Sequence, residues 1–193
     1  MQDFALRSAT KSDCRAIASL YRISSDGVAD YIWSTLAAPD ENILDVGQRR
    51  YEREDSVFGY KNCMVVEKEH QVIGMLVAFP MIVEKNSNDS RMDPVLAPYS
   101  KLECDNSYYI CGMAVLDEHR GNGIGTHLLK LVEQHANEEG LNKLSLIVFE
   151  QNIGAKRLYE RHGYREHARE HVVIHPLIHY SGDALLMVKN TGH

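Results

Sequence analysis

One stretch governs what this chain can fold into: residues 111–135, CGMAVLDEHRGNGIGTHLLKLVEQH. An apolar run ends near Val115, and a short polar turn follows. R-G-N-G-I-G then opens a segment that places Leu128, Leu131, Val132 and Ala136 on one helical face. Gly121, Gly123 and Gly125 leave no side chains between the turn and an approaching ligand. N–H groups in the first turn of a helix point into the same space, and the helix dipole favours an anion there. Strand, glycine-rich turn and helix together predict a cradle for a diphosphate. The plainer alternative is a glycine turn used for tight packing alone, and three spaced glycines at a helix start weigh against it.

Two nucleotide classes do not fit. A dinucleotide fingerprint needs G-x-G-x-x-G, but Gly121-x-Gly123 leads to Thr126 at the third position. It also wants an acidic ribose ligand about 20 residues on, where this chain offers LNKLSLIV. A P-loop needs a Lys-Ser/Thr pair after its glycines, and none follows.

The rest of the chain reads as alternating strands and helices. FALRSA at 4–9 predicts a short strand, and T-K-S-D from Thr10 predicts a capping-box-like helix start with Asp in place of Glu. Cys14, Ile17, Ala18 and Tyr21 continue at helical spacing until Ser24-Ser25-Asp26-Gly27. A second helical region runs from about Val28 to Glu54, broken near Ala38-Pro39-Asp40. CMVVE at 63–67 and VIGMLVAF at 72–79 predict an antiparallel hairpin. Residues 84–106 turn polar and irregular, with Pro94 and Pro98, and predict a long loop. Strand character returns at 108–115 and 144–149, each followed by a helix, at about 124–139 and 154–162. Two last strands are expected near 164–174 and 184–189. The fold class expected is α/β (α+β), one domain over 1–193 with a central mixed, mostly antiparallel sheet of six to seven strands flanked by about four helices.

Composition narrows the function classes. The 193 residues carry 21 Lys+Arg against 27 Asp+Glu, a formal net charge of -6, which argues against nucleic acid as a partner. The longest apolar stretch, Met75 to Val83, is interrupted by Pro80 and falls short of the roughly 20 residues of a bilayer span. The opening MQDFALRSATK has no basic region followed by an apolar run, so a cytoplasmic location is expected and no membrane partner. Cys14, Cys63, Cys104 and Cys111 show no C-x-x-C spacing, so free thiols and no structural metal are expected.

Arg120 to Gly125 matches the R/Q-x-x-G-x-G/A motif of the GNAT superfamily of acyl-CoA-dependent N-acyltransferases. Met113-Ala114-Val115 resembles that family's strand segment, often Leu-Ala-Val. A second block, Asn152 to Tyr164, is similar to its N-x-x-A-x-x-L-Y-x-x-x-G-F element. Two blocks in order are more specific than either alone, and the element order extends the resemblance over nearly the whole chain.

The resemblance implies acetyl-CoA as co-substrate, no metal, and transfer to a primary amine in a ternary complex. It assigns the cofactor to a core of about 107–165. The diphosphate would meet backbone amides of Arg120, Gly121, Asn122, Gly123, Ile124, Gly125 and Thr126. The pantetheine arm would lie along Met113, Ala114 and Val115, with Asn152 and Tyr159 alongside. Tyr159 would be the general acid, since a phenol with a reference pKa of about 10 keeps its proton for a nascent thiolate. Lys156, Arg157 and Arg161 could meet the 3′-phosphate or form a solvated face.

The acceptor would lie among elements at about 11–55, 84–106 and 171–182. Strand alternation puts Tyr109, Cys111, Met113 and Val115 on one face, so Tyr109 and Cys111 stand nearest the incoming amine. Tyr31, Trp33 and His175 are further substrate candidates, with Asp26, Asp30 and Tyr180 beside them. Cys111 reads better as an inert thiol than as an acyl-accepting nucleophile. Glu103 and Asp105 are weaker base candidates, and water is another. The lack of an evident base on that strand keeps a CoA-binding sensor, or an inactive relative, as the alternative. His171, His175 and His179 recur every four residues, but no Cys or acidic ligand accompanies them as a metal set would need. Expected partners are a small-molecule amine or a protein or peptide amine, with a homodimer left open.

Overall fold

The computed structural model describes residues 3–83 and 93–191. Seven strands form one mixed sheet: β1 (Ala5–Ser8), β2 (Cys63–Lys68), β3 (Gln71–Met81), β4 (Ser107–Val115), β5 (Lys143–Phe149), β6 (Arg165–His171) and β7 (Asp183–Asn190). Their order is β1-β2-β3-β4-β5-β7-β6. Pairing is antiparallel except for the parallel β4–β5 ladder. Hydrogen bonds Leu116 N→Ile73 O and Asn106 N→Met81 O at opposite ends set β3 antiparallel to β4.

Six helices occur among the described residues, against about four expected: α1 (Cys14–Ser24), α2 (Val28–Ser34), α3 (Ile43–Tyr51), α4 (Ala97–Lys101), α5 (Ile124–Glu138) and α6 (Ile153–Arg161). The break expected near Pro39 separates α2 from α3. Helix α4 is a correction, since it lies inside the stretch expected to be irregular. Pro98 sits in its first turn, where proline's missing N–H costs nothing. Of the expected 84–106 loop, residues 84–92 fall outside the described residues.

Contacts divide the chain into two compact units that alternate along the sequence. The first comprises the described residues up to Ala78, Gly112–Gly125 and Leu177–His179. Here α1 buries Cys14, Ile17 and Ala18 as its spacing predicts, and Leu20 in place of Tyr21, which is half-buried. The Thr10 amide donates to Asp13 Oδ2 (2.7 Å), as the capping-box reading predicts. Asp13 is 7% exposed and also takes two bonds from Arg7, at 2.8 and 2.9 Å. That guanidinium, ahead of the Thr10 bonds, lowers the Asp13 carboxyl to about 2.

The second unit comprises Phe79–Cys111, Thr126–Pro176 and the chain from Tyr180, within the described residues. Its core is the β5–β7–β6 array with Leu144, Leu146, Leu185 and Leu186 buried, and Leu128, Leu129, Val132 and Ala136 of α5 are buried as well. Gly140 (φ 71°) and Gly163 (φ 89°) follow α5 and α6 in the left-handed conformation that closes a helix. Asn152 caps α6, its Oδ1 accepting from Ala155 N at 3.2 Å.

Candidate active site

In the first unit, β4 ends at Val115, a 3-10 turn spans Asp117–His119, and the glycine turn leads into α5. Gly121 (φ 81°) and Gly123 (φ 78°) both lie in the left-handed region, which an L side chain occupies only with strain. A Cβ at Gly121 would meet nothing within 4 Å, so the turn is open on that side. Neither the Gly121 nor the Asn122 amide donates to a backbone carbonyl elsewhere among the described residues. A groove of about 360 Å³ borders the turn, lined by Asp3, Phe4, Lys68, Ile73, His119, Asn122 and Ile124. A turn of this kind suits an anion.

Arg120 departs from the expected arrangement. Its amide donates to Asp117 O (3.2 Å), its Nε to Val115 O (3.0 Å), and its guanidinium pairs with Asp117 at 2.9 Å. Arg120 therefore braces the turn from behind, and the amides that follow it carry the ligand-binding potential. Gly112 has a packing role: a Cβ there would stand 2.7 Å from the Tyr21 ring.

In the second unit the β4–β5 ladder holds only three pairs, from Tyr108↔Leu144 to Ile110↔Leu146. Strand β5 stays paired with β7 as far as Phe149↔Ala184. The middle pair of this ladder holds Tyr109, half-buried, its ring edge-on to Phe79 with centroids 5.8 Å apart. Burial raises the Tyr109 phenol well above its ordinary range, and the nearby Cys111, Glu103 and Tyr159 raise it further. Those four residues therefore share one neighbourhood, which joins the expected acid to the two expected substrate residues on β4.

Glu103 keeps solvent exposure, yet nearby protein removes enough water from its carboxyl to raise its pKa. Asp105, the other candidate base, is occupied structurally: its Oδ1 accepts from Val83 N at 2.9 Å. Tyr159 is 8% exposed and sits edge-on to Tyr164, centroids 5.8 Å apart. Sequence reasoning missed one contact altogether: Thr126 Oγ1 meets His162 Nε2 at 3.1 Å.

The other substrate candidates separate. Trp33 is a correction: it is 1% exposed and packs where Gly47 lacks a side chain, a Cβ there standing 2.5 Å from its ring. It belongs to the core and cannot reach a substrate. Asp30 is held by Arg22 through bonds of 2.6 and 2.9 Å, so its charge is spent within the protein. Tyr31 and His175 are both half-buried, in the first and second unit respectively. Parts of the expected 11–55 and 171–182 regions do meet in the first unit. His179 N donates to Asp26 O (2.9 Å), and the Leu177 carbonyl lies against Gly27 (φ 96°). His171 bonds Asp183 at 3.0 Å. Among the described residues no group of three or more His, Cys, Asp or Glu could hold a metal ion. None of the described helices is long and apolar enough to cross a membrane.

The model of the acetyltransferase (GNAT) family matches residues 30–164, well over half of the chain. This chain belongs to the GNAT family. Its relatives include an uncharacterised N-acetyltransferase of Methanocaldococcus jannaschii, 40% identical over 83 residues, which are 42% of this chain and 50% of that protein. A second, from Bacillus subtilis, is 36% identical over 58 residues, 30% of this chain and 37% of that protein. The chain thus spans half the length, or less, of these curated relatives. Solved structures agree on the fold. An N-acetyltransferase from Staphylococcus aureus Mu50 superposes with a TM-score of 0.67 at 19% identity, over 95% of this chain and 99% of that one. A GNAT acetyltransferase from Elizabethkingia anophelis with acetyl-CoA bound gives 0.57 at 16% identity, over 98% and 99%. This GNAT chain departs from the second motif at its end, where Tyr164 replaces the usual Phe. The added hydroxyl is buried with no hydrogen-bond partner.

Proposed function

We propose that this chain is an N-acetyltransferase that moves an acetyl group from acetyl-CoA to a primary amine by direct attack in a ternary complex. The observation that carries the reading is the left-handed turn at Gly121 and Gly123, open on the Gly121 side and set at the start of a 15-residue helix. The acetyl-CoA bound to the Elizabethkingia neighbour supports the choice of cofactor. Amides from Gly121 to Thr126 would hold the diphosphate, and the main chain of Met113, Ala114 and Val115 would accompany the pantetheine arm. Asn152 commits its carbonyl oxygen to the α6 cap, so its contact with that arm would fall to the amide nitrogen.

Acetyl-CoA supplies the acetyl group as a thioester, whose C–S bond breaks as the amine nitrogen forms the new C–N bond. Tyr159 donates its phenolic proton to the leaving sulfur, and its enclosure beside Tyr164 keeps competing water away. Glu103 takes the proton from the amine. Its raised pKa brings it nearer the operating pH, where a general base works best. Tyr109 and Cys111 border the incoming amine, with Cys111 as a wall and not as a nucleophile. The acceptor is a small-molecule amine or the amine of a peptide or protein. A neighbour from Brucella melitensis described as a ribosomal-protein-alanine N-acetyltransferase keeps the peptide class in range.

Calorimetry with CoA, followed by acetyl-CoA with a panel of amines and a thiol-release readout, tests this reading. Binding with turnover on at least one amine is expected. No CoA binding would end the reading, and tight binding without turnover on any amine would replace the enzyme with a CoA-binding sensor.

A further inference from the structure

The contact between Thr126 and His162 lies outside every role assigned so far. Thr126 is the third residue of α5, and His162 is the C-cap of α6. A threonine hydroxyl has one hydrogen and two lone pairs. If His162 Nε2 lacks a hydrogen, it accepts the Thr126 hydrogen and leaves only lone pairs for a ligand. If Nε2 carries a hydrogen, it donates to Oγ1, and the Thr126 hydrogen can turn towards an anion at the helix start. The charged groups that bear on this ring are Lys130 and Glu133 from α5, Arg161 from α6, and Lys189 from β7. Lys189 is itself paired with Glu133 at 2.7 Å. Partial burial first, and then the three cations, hold the imidazole below its ordinary range. A phosphate arriving beside Thr126 supplies the negative charge that reverses this balance.

We propose that His162 is a positioning residue for the diphosphate of CoA: it takes up a proton as the ligand binds and donates from Nε2 to Thr126 Oγ1, which turns the Thr126 hydrogen onto a phosphate oxygen. The inference rests on the CoA reading above. The proton comes from solvent and stays on the imidazole while the ligand is bound, and no covalent bond changes. Binding is therefore tighter at low pH, and CoA and the proton favour each other.

The test is calorimetry with dephospho-CoA, which lacks the titrating 3′-phosphate, in two buffers of different ionisation heat. The wild-type protein should take up a fraction of a proton per ligand at pH 7, and its affinity should fall about three- to tenfold between pH 6 and 8. H162Q and T126V should show neither effect, while T126S should retain both. Proton uptake by H162Q equal to that of the wild type, or a pH-independent affinity in the wild type, would overturn the proposal. Failure of every variant and of the wild type to bind dephospho-CoA or CoA would instead remove the CoA reading, and the inference with it.

Discussion

Ser107 Oγ and Ser145 Oγ meet at 2.7 Å, with both residues fully withdrawn from solvent, where β4 and β5 begin to run side by side. Ser107 Oγ also donates to Cys104 O at 2.6 Å, so the hydrogen of the serine pair comes from Ser145. The pair fastens the parallel ladder at its start. Ser107→Ala strands the Ser145 hydroxyl and should destabilise the fold by about 1–3 kcal/mol. Ser145→Ala leaves Ser107 its Cys104 bond and should cost less, about 1 kcal/mol. Urea midpoints of the two variants should fall in that order.

Tyr164→Phe should raise stability. The ring stays edge-on to Tyr159 while a buried hydroxyl without a partner disappears, a gain of about 1 kcal/mol. Thermal denaturation checks it, and a lowered melting temperature would show that the hydroxyl contributes a favourable interaction.

Asp13 sets an acid-side limit on stability. Its folded pKa of about 2 lies below the ordinary carboxylate value, so its contribution is complete above roughly pH 4 and is lost as pH falls through 2. Asp13→Asn should cost about 1–2 kcal/mol at pH 7, and the penalty should shrink towards pH 2. Denaturant titrations at pH 7, 4 and 2.5 measure this directly.

Tyr159→Phe should lower kcat by about a hundredfold while CoA affinity changes little, as expected for a proton donor used only in the chemical step. Single-turnover rates beside calorimetric affinities separate the two effects. Equal rates in mutant and wild type would remove Tyr159 from the proposed mechanism.

Gly123→Val should behave in the opposite way. The φ of 78° is strained for any β-branched residue, so the turn must shift. CoA affinity should drop at least tenfold, a loss of about 1.4 kcal/mol or more in binding. Unchanged affinity would count against the turn as the diphosphate site.

Local signals explain what the sequence disclosed. The glycines that close α5 and α6 and the Thr10–Asp13 cap each depend on a few adjacent residues, so their outcome is written in the chain itself. The break between α2 and α3 follows from Pro39 in the same way. Helix α4 had a readable start signal in Pro98, masked by the polarity around it. What stayed hidden depends on distant partners. Trp33 read as a substrate candidate until Gly47 proved to be its notch, and Asp30 stood beside it until Arg22 claimed it. Glu103 gains its raised pKa only from the folded surroundings, and the pairing of Thr126 with His162 spans 36 positions.

The close approach of the Leu177 carbonyl to Gly27, with His179 bonded to Asp26, ties the hinge between the first two helices to the segment ahead of the last strand. A side chain at position 27 would break this fit, because Gly27 has no atom to spare, whereas the Leu177 carbonyl is main chain and stays in place whatever side chain position 177 carries. Lineages that vary this corner must therefore keep glycine at 27, while this contact places no such demand on the side chain at 177. An unvarying glycine at 27 opposite a variable 177 is the mark such a history would leave among homologues.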